Sequence, residues 1–273
     1  MKKHVLVSAL IIYLGLSSAL LGGCGKVPLT NRQQLLLVSD ADIQAAGAQQ
    51  YQAILAQSKL VRGTDDYQRV VRVGSRLAGA VDDFVSAQGR GQYTSGYQWE
   101  FNLIDDNKTR NAFCLPGGKI AVYSGILPVT KDDTGLAVVL SHEIAHALAQ
   151  HGNERISQSL LVQYGGSKLS EAFANNPEET KNNLMLAFGL GANVGVLLPY
   201  SRLQEGEADR IGLALMAYAG YDPHQALTFW TRMEALESGA PPEFLSTHPL
   251  SSVRINDIKS EIPEAMKYYR DYK

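Results

Sequence analysis

The sequence predicts an α+β fold that is mainly helical and contains one small β-sheet. Apolar residues recur at helical spacing over 65–86, which is the pattern of an amphipathic helix. Apolar and polar residues then alternate from Trp99 to Leu103, which is typical of a strand with one buried face. Beyond Gly125 the helical pattern runs almost to the C-terminus. Helices are therefore expected to make up most of the fold.

Before residue 125 the sequence predicts two helices followed by three short strands. The first helix begins with a cap at Asp40 or Asp42 and ends near residue 57. The second covers the amphipathic stretch. Pro116-Gly117-Gly118 is a turn signal that joins the last two strands. The strands are expected near 99–103, 111–115 and 119–123.

After residue 125 the sequence predicts a succession of helices. The first begins at Asp132 or Asp133 and ends near His151, where Gly152 would cap it. The others are expected over 154–173, 181–196, 201–219 and 223–236, with short helical segments from residue 251. Because we find no internal repeat and no low-complexity linker, we expect one domain over 61–273. A tether and a helix over 24–60 precede it.

The N-terminal segment over 1–23 is predicted to be the signal peptide of a lipoprotein. Two lysines precede an apolar stretch over 5–21, and Leu21-Gly22-Gly23-Cys24 resembles the lipobox at which bacterial lipoproteins are cleaved. Cleavage before Cys24 would expose the cysteine that receives lipid, so we expect lipidation at Cys24 and a membrane as a partner. An ordinary cleaved signal and an uncleaved transmembrane anchor are the alternatives.

The residue after the cysteine predicts the membrane. In Gram-negative lipoproteins an Asp at this position favours retention in the inner membrane, and this chain has Gly25 instead. By that resemblance we expect a lipid-anchored protein of the outer membrane that faces the periplasm, if the source is Gram-negative.

The charge and the cysteines exclude two kinds of interaction. The formal net charge is -2, from 25 basic and 27 acidic residues without a long run of either sign. A nucleic-acid partner would require a basic face, so none is expected. The chain has two cysteines, and if Cys24 is lipidated, Cys114 has no intramolecular partner. Its apolar neighbours predict a packed, inert thiol.

The strongest functional signal is His142-Glu143-Ile144-Ala145-His146 in an apolar helix. Residues four apart on a helix lie about 40° apart around its axis, so both imidazoles can reach one cation. Glu143 lies about 60° from His146 and can face the same metal without binding it. The motif predicts a zinc site with His142 and His146 as ligands and Glu143 as the general base. His151, about 180° from His142 on a continuous helix, is not assigned to the metal.

A catalytic zinc ion needs three protein ligands and an open position for water. The segment over 201–210 offers Glu205 and Asp209 on one helix face, with Glu207 about 200° from Glu205. We therefore predict Glu205 as the third ligand and Asp209 as the acceptor for the N–H of a ligating histidine. Glu207 is expected to be solvated or structural. The alternative is that the whole acidic cluster is a solvated helix face.

Three motifs together resemble the zinc metallopeptidase family that includes the CAAX prenyl proteases, HtpX, LoiP and BepA. They are His-Glu-x-x-His at 142–146, Glu-x-x-Ala-Asp at 205–209 and Asn-Ala-Phe-x-Leu-Pro-Gly-Gly at 111–118. The resemblance covers about residues 65–260. The lipobox, the chain length and the single domain are most similar to LoiP. The resemblance implies one zinc ion per chain.

The resemblance also implies a substrate and a function. The strand with Asn111, Ala112 and Phe113 would lie at the edge of the cleft and bind an extended polypeptide by strand addition. We therefore expect a lipid-anchored zinc metalloendopeptidase that hydrolyses unfolded or misassembled envelope proteins in quality control. Its partners would be those polypeptides and the outer-membrane assembly machinery.

His248 is a further candidate, in the motif Thr247-His248-Pro249 with Arg254 downstream. It could bind the open zinc position and hold the enzyme latent, help to stabilise the oxyanion, or only fix a loop by hydrogen bonding. Two other functions stay open. One is a chaperone-like assembly factor with a latent zinc site. The other is a lipoprotein with a purely structural zinc ion, although structural sites are usually closed and rich in cysteine.

Overall fold

The structure is a computed structural model that describes residues 24–164, 201–236, 243–249 and 253–270. Helices dominate these ranges, and the strands form a two-stranded and a four-stranded sheet. The predicted mainly helical α+β fold is confirmed. The predicted signal peptide over 1–23 and the predicted helix over 181–196 lie outside the described residues.

The strands build a small hairpin and a small mixed sheet. The bounds are β1 Cys24–Lys26, β2 Gln33–Leu35, β3 Leu60–Val61, β4 Glu100–Ile104, β5 Ala112–Leu115 and β6 Lys119–Tyr123. β1 pairs with β2 in an antiparallel N-terminal hairpin, where the sequence carries no strong pattern. The larger sheet has the order β3-β4-β6-β5, with β4 and β6 parallel and the other pairs antiparallel. β5 and β3 therefore lie at the two ends of the four strands described. The sequence did not predict β3, because this strand has only two residues.

The described ranges contain nine α-helices. They are α1 Asp40–Ala56, α2 Asp65–Ala87, α3 Leu127–Thr130, α4 Asp133–Leu148, α5 His151–Tyr164, α6 Arg202–Tyr218, α7 Gln225–Ala235, α8 Glu243–Thr247 and α9 Arg254–Ala265. Four of them have an N-cap residue whose side chain accepts a hydrogen bond from a backbone N–H of the first turn. These residues are Ser39, Thr64, Asp132 and Ser201. Such caps satisfy amides that have no partner inside the helix. The cap of α1 is therefore Ser39 rather than Asp40 or Asp42.

The predicted end of the helix with the two histidines is wrong. α4 ends at Leu148, and Gln150 has a left-handed φ of 56°. A new helix, α5, begins at His151 and contains Gly152. A left-handed residue stops a helix as a terminal glycine does, but here a glutamine takes that position. The chain therefore changes direction before His151.

α4 lies at the centre of the core, and it packs closely against α6. Every residue of α4 from Gly135 to Leu148 is buried, and the helix packs against α2, α6, α7 and β5. A Cβ atom at Gly212 of α6 would lie 3.1 Å from the backbone nitrogen of His142 and 3.2 Å from its Cα. The missing side chain lets the two backbones approach, so the acidic first turns of α6 lie beside the histidines of α4.

We expect Gly212→Ala to destabilise the protein, because the new methyl group meets backbone atoms that cannot move independently. Overpacking of this kind costs about 1–3 kcal/mol, and the melting temperature should fall. Gly206→Ala is the matched control, since a Cβ there meets no atom within 4 Å and alanine favours the helix. Equal melting temperatures for the two variants in a thermal unfolding experiment would contradict the tight contact.

Candidate metal centre

Four buried side chains with metal-binding atoms meet between α4, α6 and the residue after α8. His142, His146, Glu205 and His248 each offer one such atom, and these atoms all lie within 4.8 Å of one another. His142 Nε2 is 3.1 Å from His146 Nε2 and 3.2 Å from His248 Nδ1. Glu205 Oε1 is 3.3 Å from His146 Nε2 and 2.9 Å from His248 Nδ1. The structure thus brings the three predicted ligands together with His248.

This donor set fits zinc. Ligands about 2.0–2.1 Å from a tetrahedral zinc ion lie about 3.3 Å from one another, and the four spacings here are 2.9–3.3 Å. Imidazole nitrogens and a carboxylate oxygen are also the atoms that zinc binds in hydrolases. Ring nitrogens that face one another at such distances require a shared proton or a cation between them, because two lone pairs repel. These four residues can therefore hold the metal ion.

The charges around the donor atoms favour a cation. Burial would raise the pKa of Glu205, but His248 and Arg254 hold it well below its ordinary value. Burial acts in the same way on Asp209, and Arg254 again lowers the pKa of that carboxyl. Burial would lower the pKa of His142, yet its hydrogen bonds to Asp209 and Glu205 raise that pKa to about 9. Two buried carboxylates thus stay ionised and attract positive charge to the histidine between them.

Asp209 lies behind His142, as predicted for an orienting carboxylate. Its Oδ1 atom is 3.0 Å from His142 Nδ1, which leaves Nε2 directed at the other donors. Arg254 Nε and Nη2 donate to the two oxygens of Asp209 at 2.8 and 2.9 Å. Arg254 Nη1 lies 2.7 Å from Glu205 Oε2. Arg254 therefore joins the candidate ligand Glu205 to the carboxylate that orients His142, a role that could not be predicted from its motif.

Glu143 lies beside the donor atoms without joining them. Its Oε1 atom is 3.3 Å from His248 Nε2, while Nδ1 of the same ring faces the metal donors. Burial raises the pKa of Glu143, and the nearby His248 and His142 oppose that rise. A carboxyl with a raised pKa exchanges protons closer to neutral pH. The position and the pKa both suit the predicted general base.

His151 is the site residue that the sequence argument missed. Its Nδ1 atom is 2.9 Å from His146 Nδ1, and its Nε2 atom is 3.3 Å from Glu207 Oε2. On a continuous helix His151 would point away from His142, but α4 ends at Leu148 and Gln150 is left-handed, so His151 turns toward the site. Because glutamine does not favour positive φ, this turn could not be predicted from the sequence. Glu207 is buried against His151, which makes it structural rather than solvated.

The predicted substrate-binding residues lie at the start of β5. Asn111 and Ala112 are buried, and the Phe113 ring packs against Tyr51 with ring centroids 6.3 Å apart. Because the Phe113 side chain belongs to the core, only backbone groups of this strand remain for a peptide. The backbone nitrogen of Phe244 in α8 donates to the oxygen of Arg110 at 3.2 Å. Binding of substrate by Asn111, Ala112 and Phe113 stays a prediction.

Cys114 on the same strand is buried and free. Burial raises the pKa of its thiol well above the ordinary value, and the charge of Glu143 raises it further. A thiol that stays protonated is a poor nucleophile. The prediction that Cys114 is packed in the core is confirmed, and its low reactivity stays a prediction.

Two histidines on one buried helix, a glutamate from a second helix and a neighbouring carboxylate base define a metal-dependent hydrolase. A comparison with known protein families identifies the kind of metal-dependent hydrolase. The model of Peptidase family M48 matches residues 70–262. The chain belongs to this family of zinc metallopeptidases.

The chain is similar to metallopeptidases from different sources. It is 44% identical to the mitochondrial metalloendopeptidase OMA1 of Schizosaccharomyces pombe over 173 residues, 63% of this chain and 49% of the relative. It is 30% identical to OMA1 of Saccharomyces cerevisiae over 266 residues, 92% of this chain and 74% of the relative. It is 29% identical to the beta-barrel assembly-enhancing protease of Escherichia coli over 167 residues, 59% of this chain and 34% of the relative. The chain thus spans about half the length of the fission-yeast relative.

These relatives correct the predicted location. The OMA1 relatives from fungi, a plant and vertebrates are named as mitochondrial, so the prediction of an outer-membrane protein facing the periplasm is wrong. Among the described residues no helix combines the length and the apolar character needed to cross a bilayer. The predicted signal peptide over 1–23 lies outside the described residues, so it stays a prediction, as does the lipidation of Cys24.

We expect Glu205→Gln to lose zinc and Glu143→Gln to keep it. Both changes preserve side-chain size in the same buried site, but only the first removes an anionic donor. Loss of an outer hydrogen-bond partner already weakens metal affinity about 10–100-fold, and loss of a ligand should weaken it more. Zinc content after dialysis, measured by mass spectrometry, tests this. One zinc per chain in both variants would exclude Glu205 as a ligand.

Proposed function

We propose that this chain is a zinc metalloendopeptidase that hydrolyses peptide bonds of unfolded or misassembled polypeptides. The observation that carries this proposal is the position of Glu143. Its carboxylate shares the buried site of His142, His146 and Glu205 without being one of the four metal donors. A hydrolase needs a base placed in this way, whereas a structural metal site does not.

The residues of the site divide the chemistry between them. His142, His146 and Glu205 would hold zinc, which when bound polarises a carbonyl group and lowers the pKa of a water molecule. Glu143 accepts a proton from the attacking water at its carboxylate and returns it to the leaving amine. The rings of Trp230 and Phe244 lie 5.9 and 6.2 Å from the His142 ring, centroid to centroid. They keep that side of the site apolar, which strengthens the electrostatic interactions inside it.

The proposed substrate is an extended chain. β5 ends the strand order of the sheet and packs against α4, so a peptide paired with its backbone would run beside the catalytic helix. Strand addition uses main-chain hydrogen bonds and tolerates many sequences, but it requires an unfolded segment. The name of the Escherichia coli relative refers to β-barrel assembly, which supports a role in protein quality control and a link to an assembly machinery. The closer likeness to LoiP stays a prediction.

A latent state is the second part of the proposal. His248 directs Nδ1 at the metal donors and Nε2 at Glu143, so one ring engages the position for water and the catalytic base together. The His248 ring also packs against the Phe244 ring, with the two centroids 4.6 Å apart. This arrangement favours a latency ligand over a residue that only fixes a loop. It also supports the alternative of a chaperone-like assembly factor that keeps its zinc site and rarely cleaves.

We expect Glu143→Gln to abolish cleavage of casein while zinc content stays at one per chain. An amide cannot accept the proton, and general acid–base catalysis contributes about 10²–10⁴-fold in rate. Peptide release from casein by the purified full chain measures the change. A chaperone-like function, assayed as suppression of aggregation of a denatured protein, should survive the same substitution. Undiminished cleavage by the variant would remove Glu143 from the mechanism.

We expect His248→Ala to raise the rate of casein cleavage. If the latent arrangement holds nine-tenths of the molecules, the rise is about tenfold, equivalent to about 1.4 kcal/mol. His224→Ala is the control, because His224 is exposed and pairs only locally with Asp222. A fall in rate with zinc retained would instead assign His248 to the oxyanion. Loss of both zinc and fold would favour a structural zinc site, and an unchanged rate would exclude a role for His248 in the reaction.

A further inference from the structure

A line of buried polar side chains runs from the N-terminal hairpin to the metal donors. We infer that Arg32, Glu207 and His151 form a relay that positions His146 for zinc. Arg32 and Glu207 then act through His151. None of these three residues is among the four metal donors. The inference rests on the zinc site of the proposed function and adds the residues that hold one of its ligands.

The two histidines of α4 are held in different ways. His142 has a carboxylate directly behind it, with Asp209 Oδ1 3.0 Å from its Nδ1. His146 has a second histidine in that place, because His151 Nδ1 lies 2.9 Å from His146 Nδ1. When His146 binds a metal through Nε2, its proton is on Nδ1 and His151 Nδ1 must accept it. The proton of His151 is then on Nε2.

His151 and Glu207 together do for His146 what Asp209 alone does for His142. Its Oε2 atom lies 3.3 Å from His151 Nε2 and can accept that proton in a hydrogen bond. Thr30 Oγ1 donates to Glu207 Oε1 at 2.7 Å, and Arg32 Nε donates to Oε2 at 2.7 Å. Both oxygens are therefore fixed by the N-terminal hairpin. A carboxylate held in one position also fixes the orientation of the imidazole ring that donates a hydrogen bond to it.

Arg32 ties three elements together through one guanidinium group. Besides Glu207 on α6, it donates from Nη1 and Nη2 to the two oxygens of Glu154 on α5, at 2.6 and 2.8 Å. Gln204 of α6 donates to the same Glu154 at 2.8 Å. Both glutamates are buried, so removal of Arg32 would leave two desolvated carboxylates without their cation. Such a pair rearranges or takes up water and protons, and His151 would lose its fixed partner.

The hairpin turn explains how residues so distant in sequence reach the site. Val27 N donates to the oxygen of Arg32, and Asn31 N donates to the oxygen of Val27, both at 2.9 Å. Asn31 has a left-handed φ of 56°. This turn places Thr30 and Arg32 on the side that faces α6. The hairpin thus supplies two of the side chains that hold Glu207 in place.

The test measures zinc affinity of the full chain by competition with a chromophoric chelator, together with the visible spectrum of the cobalt(II)-loaded protein, which reports ligand geometry. We expect Arg32→Ala to weaken zinc binding about 10–100-fold, as loss of an outer partner usually does, and to change the cobalt spectrum. Arg72→Ala is the matched control. It removes an arginine that is also bidentate to a carboxylate, Asp133 at the start of α4, but is exposed and outside the relay.

Two further variants separate positioning from general stability. Glu207→Gln keeps the size of the side chain and should also weaken zinc binding. This variant tests the relay even if Arg32→Ala does not fold. If Arg32 acts through His151, the double variant Arg32→Ala/His151→Ala should bind zinc no more weakly than His151→Ala alone. Additive losses in affinity would overturn the relay.

The outcomes also distinguish this inference from the proposed function. Wild-type zinc affinity and an unchanged cobalt spectrum in Arg32→Ala and Glu207→Gln, with only a lower melting temperature, would make the relay a purely structural contact. The zinc site of the wild-type protein would then still stand. A wild-type chain that binds no zinc would overturn the proposed function and, with it, the relay.

Discussion

The structure depends on the close approach of two helices. Gly212 lets the backbone of α6 lie against α4 at His142, and this contact brings the carboxylates of the first turns of α6 to the imidazoles of α4. The positions of Glu205 and Asp209 beside the histidines follow from that contact. A side chain at the crossing would move Glu205 and Asp209 together, because both belong to the same rigid helix. The apolar residues around the crossing exclude water, so the charges of the site interact strongly.

Because water is excluded, the balance of charge in the site determines whether it favours a cation. Glu205 and Asp209 are ionised although buried, which is costly unless positive charge is near. Arg254 supplies one such charge to both carboxylates, and its guanidinium lies 3.9 Å from the centroid of the Trp230 ring. One fixed cation against two anions leaves the site able to take up a further positive charge. Although burial lowers the pKa of His142, the same two carboxylates raise it.

The sequence predicted the parts of the site that local periodicity determines. His142 and His146 share a helix face because they are four residues apart, and so do Glu205 and Asp209. The contact of His151 with His146 could not be predicted in this way, because the backbone turns left-handed at Gln150 and glutamine gives no sign of such a turn. Arg32 lay beyond any local argument. It is 122 residues from Glu154 and 175 from Glu207, so only tertiary packing shows that they meet.

The two sides of the metal site consequently have different structural origins. His142 is oriented by Asp209, which lies on the helix that also provides Glu205, so this half is contained in residues 70–262, where the family model matches. His146 is oriented through His151 and Glu207 by Thr30 and Arg32, which precede that range. The N-terminal hairpin therefore supports one ligand of a site whose other members lie within the family domain. Chains of this family that differ before the domain can differ in how firmly the second histidine is held, while the His-Glu-x-x-His motif itself stays the same.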